Sequence, residues 1–306
     1  MRVLITGGSG FIGSHLAELL QDRAAVRVLD NFRTGHRRNL AGLRVDLVEG
    51  SILDRECLRR ALEGVDLVFH LAALVSVPES MTNPQECAAI NVTGLLNVLE
   101  EAERAGVGKL CFSSSAAIYG DNPTVPKTES MMPEPRSPYA VTKLDGEYYC
   151  AIFAREGRLK TVALRFFNVF GPRQDLKGAY AAAVPIFIRR ALDGEPLDIY
   201  GDGEQTRDFV HVKDIAAANL FAAETAGLTG VFNVGYGAAV TVNEIARRIV
   251  KAANSSSEIR HLPARAGDVR NSLASTDKLR AAGFRPVSSL DRGLEETLAY
   301  YAAQRG

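Results

Sequence analysis

Tyr139 and Lys143, four residues apart, are side chains in this sequence that could carry out proton chemistry. They fall in a segment predicted to be helical, where positions i and i+4 put the phenol and the ammonium group on one face. A neighbouring cation favours the phenolate and should lower the tyrosine pKa from about 10; a drop of about three units corresponds to about 4 kcal/mol. Ser113, Ser114 and Ser115 precede the pair. Tyr139 is therefore a candidate proton carrier, although so short a spacing also occurs on ordinary helix surfaces.

Glycines at positions 7, 10 and 13 separate a short apolar run, which predicts a strand, from a helical pattern. Positions without side chains let the backbone approach a pyrophosphate at the N-terminus of the helix. Asp30 ends the next predicted strand, where a carboxylate can accept both hydroxyls of an adenosine ribose and repels a 2′-phosphate. The pattern favours NAD over NADP, although the basic side chains of Arg33, Arg37 and Arg38 could also bind the 2′-phosphate of NADP.

The composition limits the partners and the location of the protein. The 306 residues carry 36 basic and 36 acidic side chains, which indicates neither a nucleic-acid surface nor an acidic tail. The four cysteines have no C-x-x-C spacing, so reduced thiols and no metal site are expected. The apolar run after Met1 is too short for a signal peptide, and no membrane-length apolar stretch follows. We expect a cytoplasmic protein that binds neither nucleic acid nor membranes.

Strand-like and helix-like segments alternate as far as Phe167, which predicts a parallel sheet with helices on both faces. We assign residues 1–167 to a Rossmann-type, doubly wound α/β domain that binds NAD, with a return segment over about 209–235. Prolines and glycines then become frequent, and residues 168–306 are predicted to form mainly a smaller C-terminal α/β lobe that binds the substrate. In that lobe Thr241 and Glu244 form a capping box, and Ser289 can cap a last helix.

In this order, the motifs resemble those of the extended short-chain dehydrogenase/reductases. The likeness is to the NAD-dependent epimerase/dehydratase family, in particular its UDP-glucose and UDP-N-acetylglucosamine 4-epimerases, and it runs from Val3 to Tyr300. Besides the glycine loop, the three serines and Y-x-x-x-K, it rests on the segments Asp30-Asn31, His70-Leu71-Ala72-Ala73, Asn91-Val92, Phe167-Asn168-Val169-Phe170-Gly171-Pro172, Arg207-Asp208-Phe209-Val210-His211-Val212 and Arg265-Ala266-Gly267-Asp268.

The resemblance implies a role for each matching residue. Ser115, Tyr139 and Lys143 are the implied catalytic residues, with Ser115 binding the reacting sugar hydroxyl and Lys143 the nicotinamide ribose. The cofactor NAD is expected to contact Gly7, Gly10, Phe11, Ile12, Gly13, Asp30, Asn31, Ser51, Ile52, Leu71, Ala72, Ala73, Asn91, Ser113, Tyr139, Lys143 and Phe166. The UDP-sugar is expected to contact Ser76, Ser115, Asn168, Tyr200, Arg207, Phe209, Arg265, Asp268 and Ser272.

Three of these assignments have alternatives or depart from the family. Ser51 stands where the family usually has an aspartate that holds the adenine amino group, so a weaker adenine contact is expected. The arginines at positions 207 and 265 could instead form internal ion pairs, and Tyr200 could pack in a core. His211 is expected to be structural, because the family motif carries it without an evident proton-transfer role.

The residues beside the catalytic set indicate which reaction to expect. Relatives that eliminate water resemble a Thr-Asp-Glu run and those that decarboxylate carry a glutamate, whereas this chain has Ala116 and Ala117, which cannot move a proton. Relatives that act on uronates commonly carry a basic residue where this chain has Asp175. The expected enzyme is therefore an isomerase, a UDP-hexose 4-epimerase. In it Tyr139 removes a hydroxyl proton while hydride passes to NAD, and the hydride then returns to the other face of the keto sugar.

Substrate range and assembly are also implied by the resemblance. Ser272 occupies a position where a tyrosine restricts epimerases to plain hexoses, so UDP-GlcNAc and UDP-GalNAc are expected besides UDP-Glc and UDP-Gal. Ser272 could otherwise be a solvent-facing loop residue. The Gly178–Ala182 run also resembles epimerases that accept UDP-GlcNAc. A 4-epimerase of a UDP-uronate or UDP-pentose, or a non-catalytic NAD-binding regulator, remains open. A homodimer is expected, formed by the helix after Asn91 and the helix carrying Tyr139.

Overall fold

The computed structural model describes residues 1–175, 183–264 and 269–305. Its strands are β1 (Arg2–Thr6), β2 (Ala25–Asp30), β3 (Val45–Glu49), β4 (Leu67–His70), β5 (Lys109–Ser115), β6 (Lys160–Phe166), β7 (Asn168–Phe170), β8 (Leu197–Tyr200), β9 (Thr206–Arg207), β10 (Phe209–His211), β11 (Gly230–Val234), β12 (Val240–Thr241) and β13 (Ile259–Leu262). Its helices are α1 (Phe11–Leu20), α2 (Arg55–Leu62), α3 (Val77–Thr82), α4 (Pro84–Ala88), α5 (Gly94–Arg104), α6 (Pro138–Arg155), α7 (Ala183–Asp193), α8 (Val212–Glu224), α9 (Val242–Ala252), α10 (Asp277–Ala281) and α11 (Leu290–Ala303).

Seven strands form the central sheet, in the order β11-β6-β5-β4-β1-β2-β3, and all its pairings are parallel. Strand β2 lies on one side of β1 and strand β4 on the other, so the direction in which the chain adds strands reverses at β1. At such a reversal the connections diverge and leave a crevice beyond the carboxyl ends of the strands. The Rossmann-type doubly wound sheet predicted from the sequence is confirmed.

Both faces of the sheet are covered, which explains why its strands are almost continuously apolar. Side chains alternate along β1, so Val3 and Ile5 pack in one core with Leu16 of α1 and Ile215 of α8, while Leu4 belongs to the opposite core with residues of α2, α5 and α6. No described helix combines the length and apolar character needed to span a bilayer.

A second core lies in the C-terminal lobe, where α7, α9 and α11 pack beside the parallel pair β8–β13. Both predicted N-caps are present: Thr241 Oγ1 accepts a hydrogen bond from the Glu244 amide at 3.0 Å, and Ser289 Oγ accepts one from the Arg292 amide at 3.3 Å. The other half of the predicted capping box is replaced, because the Glu244 carboxylate accepts from Arg248. The helix after Thr241 begins at Val242.

Helix α6 carries Tyr139 and Lys143 and packs closely on β5. Ser137 caps it by accepting a hydrogen bond from the Ala140 amide at 3.2 Å, and Pro138 occupies the first turn, where its missing N–H has no helical partner to lose. A side chain at Gly146 would place Cβ 2.4 Å from Cζ of Phe112 in β5, so glycine permits this approach. The position of α6 along β5, the strand that ends in the three serines, is therefore fixed.

A buried ion pair joins α6 to β5 and β6. Arg165 and Glu147 are 3% and 5% exposed, and the guanidinium donates to the carboxylate through Nε at 2.8 Å and Nη2 at 2.7 Å. Ser114 Oγ donates to the same carboxylate at 2.5 Å, and Arg165 Nη1 donates to the Tyr119 hydroxyl at 2.7 Å. The guanidinium and the carboxylate are thus hydrogen-bonded to each other and to neighbouring hydroxyls. Removal of either charge leaves the other buried without a counterion.

Replacing Glu147 by glutamine should lower the free energy of unfolding by about 3–5 kcal/mol, because Arg165 would keep a buried charge without its counterion. Urea denaturation monitored by circular dichroism measures this difference.

The matched control is Glu103→Gln, which breaks a bidentate pair with Arg158 whose side chains are 29% and 41% exposed. Water and salt screen such an exposed pair, so its loss should change the free energy of unfolding far less than the loss of the buried pair. Equal losses in the two variants would show that the buried pair stabilises the fold no more than an exposed one, and would contradict the prediction.

Candidate active site

A cleft of about 960 Å³ lies at the carboxyl ends of the central strands. This volume is at the upper end of the roughly 300–1,000 Å³ typical of ligand sites. The cleft collects residues from the ends of β1, β2, β4, β5 and β6 and from α3 and α6. Of the predicted cofactor contacts, those that line it are Gly7, Gly10, Phe11, Ile12, Gly13, Asp30, Asn31, Ser51, Ile52, Leu71, Ala72, Ala73, Ser113, Tyr139, Lys143 and Phe166.

The glycine loop forms a backbone cradle at one end of this cleft. Gly7 has φ +72°, and a Cβ there would lie 2.7 Å from the Ala72 amide nitrogen. A Cβ at Gly13 would lie 2.3 Å from the Gly7 carbonyl oxygen, so this glycine allows α1 to pack on the loop. Gly10 precedes α1 without a side-chain cap. The first amide groups of the helix are therefore available to an anion, which fits a pyrophosphate.

Asp30 anchors the loop that follows β2. Its Oδ2 accepts a hydrogen bond from the Ser9 amide at 2.9 Å, and its Oδ1 accepts one from the Phe32 amide at 2.8 Å. Each carboxylate oxygen keeps a further lone pair, and the residue lines the cleft. The arrangement fits a carboxylate that fixes the glycine loop and accepts hydroxyls of a ribose.

Tyr139, Ser115 and Lys143 meet at the other end of the cleft. Ser115 lies close enough to the Tyr139 hydroxyl to act on it as a hydrogen-bonding group, and Ser115 Oγ accepts a hydrogen bond from the Ala117 amide at 3.1 Å. Lys143 is 4% exposed, and its Nζ donates to the Ser113 carbonyl at 2.7 Å. This Nζ lies 5.8 Å from the centre of the Tyr139 ring, so the phenol and the ammonium group share a face of α6 as predicted.

The predicted fall in the pKa of Tyr139 is wrong for the protein alone. Burial raises the pKa of Tyr139, and the hydrogen bond from Ser115 opposes this only in part. Burial also lowers the pKa of Lys143 to about 8, since the charged form of a buried amine is disfavoured. The ammonium group is held by the Ser113 carbonyl rather than by the phenol, which is why the i, i+4 spacing alone overestimated its effect.

Asn91 does not belong to the lining of the cleft, and its cofactor contact stays a prediction. It lies in a π-helical turn, Ala89–Thr93, where its Oδ1 accepts the Leu74 amide at 2.7 Å. Its Nδ2 donates to the Leu74 carbonyl at 3.0 Å and to Thr142 Oγ1 at 3.0 Å. Asn91 thus fixes the segment after β4 against α6.

Ser113 and Ser76 are placed to meet a ligand in different ways. Ser113 lines the cleft, and its Oγ is buried and has no hydrogen-bond partner among the described residues. An unpaired buried hydroxyl of this kind fits a polar group of a bound ligand. Ser76 also lines the cleft, where its Oγ caps α3 by accepting the Glu79 amide at 3.2 Å.

Most other predicted substrate contacts lie in the second lobe, outside the lining of this cleft. Tyr200 ends β8, Arg207 belongs to β9, and Ser272 follows as a half-buried residue whose amide donates to the Thr206 carbonyl at 3.1 Å. Phe209 is 6% exposed within the core of that lobe. The half-buried Asn168 donates to the Asp208 carbonyl at 3.3 Å. Arg265, Asp268 and the 178–182 run lie outside the described residues, and all these contacts stay predictions.

The cleft also contains charged residues that the sequence did not single out as ligands. Glu79 and Glu86 face Arg33 there, and Arg173 lines the cleft with its Nη1 buried and unpaired among the described residues. Arg173 has φ +65° and donates to Glu18 at 2.6 Å. No motif marks these positions, because each depends on contacts between segments far apart in the chain.

Comparisons with known proteins give the chain a family. Residues 3–235 match the model of the NAD dependent epimerase/dehydratase family. The UDP-glucose 4-epimerase of Mycolicibacterium smegmatis is 36% identical over 98% of both chains. The UDP-N-acetylglucosamine 4-epimerase of Methanobrevibacter ruminantium, solved with UDP-N-acetylmuramic acid, is 40% identical over 99% of this chain and 98% of its own, with a TM-score of 0.96.

Not every relative at this distance is an epimerase by name. The UDP-N-acetyl-alpha-D-glucosaminuronate decarboxylase of Bacillus cytotoxicus is 35% identical over 98% of this chain and 97% of its own. Overall identity therefore leaves the reaction open within the family. The fold, the NAD-type cleft and these matches agree with the resemblance first drawn from the motifs, and the chain belongs to the NAD dependent epimerase/dehydratase family.

Proposed function

We propose that this protein is a UDP-hexose 4-epimerase that inverts C4 of the sugar with a bound NAD. One observation carries the proposal: beside the group formed by Ser115, Tyr139 and the buried Lys143, the two residues that follow Ser115 cannot transfer a proton. These are Ala116 and Ala117, in the short helical turn Ala116–Tyr119 directly after Ser115. A single acid–base group fits a reaction that removes one proton and returns it.

The three catalytic side chains would divide the work as follows. Ser115 and Tyr139 both hydrogen-bond the C4 hydroxyl of the sugar, and Tyr139 accepts its proton. With a pKa of about 8, Lys143 is still largely protonated at neutral pH, so its charge favours the phenolate. NAD supplies the hydride acceptor and, in the second half, the hydride donor. Because the hydride returns to the sugar and Tyr139 returns the proton, no net redox change remains.

The residues around the cleft suit NAD. The uncapped start of α1 and the glycine cradle accept the pyrophosphate, Asp30 the adenosine ribose, and the unpaired hydroxyl of Ser113 a polar group at the nicotinamide end. Ser51 Oγ is held by the Leu53 amide at 3.2 Å, and a hydroxyl has less acceptor capacity than a carboxylate. This fits the weaker adenine contact expected from the sequence.

The neighbouring residues argue against the other reactions of the family. Elimination and decarboxylation need an acid or base beside Ser115, where alanines stand at positions 116 and 117. Asp175 lines the cleft, and its negative charge disfavours a uronate carboxylate nearby. This local chemistry favours epimerisation even though a decarboxylase is 35% identical to the chain.

The sugar range is proposed to include N-acetylated hexoses. Ser272 is small, half-buried and tied to β9 through its amide, so it leaves room where a tyrosine would occupy space. The M. ruminantium relative is named a UDP-N-acetylglucosamine 4-epimerase. Tyr200, Arg207, Arg265 and Asp268 are proposed to hold the UDP moiety, because arginines bind diphosphates with charge-assisted bonds.

A homodimer is proposed from the outer face of α6. Val141, Tyr148 and Ile152 are 48%, 57% and 41% exposed, and their spacing of seven and four residues puts them on one side of the helix. Large apolar side chains in such a row are typical of a buried interface rather than of a wetted surface. The partner of this row would be the same helix and α5 of a second copy.

Tyr139→Phe should abolish epimerisation, because it removes the proton carrier, while leaving NAD bound. The assay incubates both proteins with a panel of UDP-hexoses, UDP-uronates and UDP-pentoses and separates the products. Full activity in the variant, or turnover of UDP-uronates alone by the wild type, would contradict the proposal.

Ser272→Tyr should reduce turnover of UDP-GlcNAc and UDP-GalNAc at least about tenfold more than turnover of UDP-Glc and UDP-Gal, since the phenol would fill the space for the N-acetyl group. Kinetics on the four substrates measure the ratio, with Ser272→Ala as the control that should leave it unchanged. Equal losses on both pairs would rule out this role of Ser272.

Tyr148→Glu combined with Ile152→Glu should convert the dimer to a monomer, because both charges would be buried at the interface. Light scattering after gel filtration gives the mass. Val287→Glu, at a residue 59% exposed on another part of the surface, is the control that should stay dimeric. A monomeric wild type would refute the proposed assembly.

A further inference from the structure

An arginine bridges the two rims of the cofactor cleft at its adenosine end. Arg33 lies on the loop after β2, and its Nη2 donates to Glu79 Oε1 of α3 at 2.8 Å and to Glu86 Oε1 of α4 at 3.0 Å. All three residues line the cleft. The guanidinium is thus shared by two carboxylates that come from the opposite rim.

Hydrogen bonds within the loop fix the backbone position of Arg33. Asp30 binds the Phe32 amide, Phe32 takes the left-handed conformation with φ +57°, and the Arg33 amide donates to Asn31 Oδ1 at 3.1 Å. Arg33 follows Asp30, the proposed ribose ligand, by three residues. An arginine near this acidic residue is the group that accommodates the 2′-phosphate of NADP in related cofactor sites.

We propose that Glu79 and Glu86 select NAD against NADP by occupying the guanidinium of Arg33. The inference rests on the proposed function, since it concerns the cofactor of that site. With its two partners Arg33 forms a group of net charge −1, and Asp30 adds a second negative charge at the same end of the cleft. A 2′-phosphate would meet repulsion there and find the guanidinium of Arg33 already engaged.

The other two arginines that follow β2, Arg37 and Arg38, do not line the cleft. Arg37 pairs with Glu49 of β3 and lies over the Phe32 ring at 4.3 Å. The Arg37–Glu49 pair is 61% and 62% exposed, whereas Arg33, Glu79 and Glu86 are 33%, 34% and 48% exposed. The bridge from Arg33 is therefore less screened by salt than the Arg37–Glu49 pair.

The test replaces both carboxylates, as Glu79→Gln with Glu86→Gln, which keeps size and polarity. The Ser76 cap survives, because it uses only the backbone amide of Glu79. Each purified protein is equilibrated with a mixture of NAD and NADP, and the bound cofactors are released by denaturation and quantified by mass spectrometry. The ratio of bound NADP to bound NAD should rise about tenfold in the double variant, because the freed arginine can pair with the 2′-phosphate.

Two controls separate this mechanism from a general loss of negative charge. Glu49→Gln, which frees Arg37 outside the cleft, should leave the ratio unchanged. Adding Arg33→Ala to the double variant should abolish the gain.

An unchanged ratio in the double variant, or a gain that survives Arg33→Ala, would overturn the inference while leaving the epimerase proposal intact. A wild type that binds neither cofactor would instead refute the proposed function, and the inference with it.

Discussion

The packing of α6 on β5 is the constraint on which the rest of the site depends. Gly146 lets the helix approach Phe112, Glu147 holds Ser114, and Lys143 holds the Ser113 carbonyl. These contacts are spaced along the same helix face as Tyr139, so they set the height at which its phenol meets Ser115. A shift of the helix by one residue would separate Tyr139 from Ser115. Close packing and a buried ion pair, whose two charges must stay together, restrict the helix to one arrangement.

Much of the fold and part of the site could be predicted from the sequence. The apolar runs, the glycine triplet and Asp30 are local signals of a parallel strand, a crossover helix and a ribose ligand, and each reflects physics within a few residues. The parallel order of the strands then gathers Gly7, Asp30 and Ser115 at one edge of the sheet, although they are far apart in the chain. Resemblance added the roles of individual residues, which spacing alone could not supply.

The sequence says least where the outcome depends on contacts between distant segments. It did not show that a π-helical turn directs the amide of Asn91 to Leu74 and Thr142, and the cofactor contact of this residue stays a prediction. The pKa of Tyr139 was expected to fall, but burial raises it and the interaction with Ser115 offsets only part of this. The bridge from Arg33 to two glutamates has no motif, because its members come from three different elements.

In the proposed epimerisation, one proton carrier and a bound NAD invert C4 of the sugar, and the hydrogen on C4 does not exchange with water. UDP-glucose deuterated at C4 of the sugar can be followed through many turnovers in ordinary water. Both UDP-glucose and the UDP-galactose formed should retain the deuterium at C4, because the same hydride is removed and returned. Loss of deuterium to the solvent would contradict it, since a proton abstracted directly from carbon would then be the path of inversion.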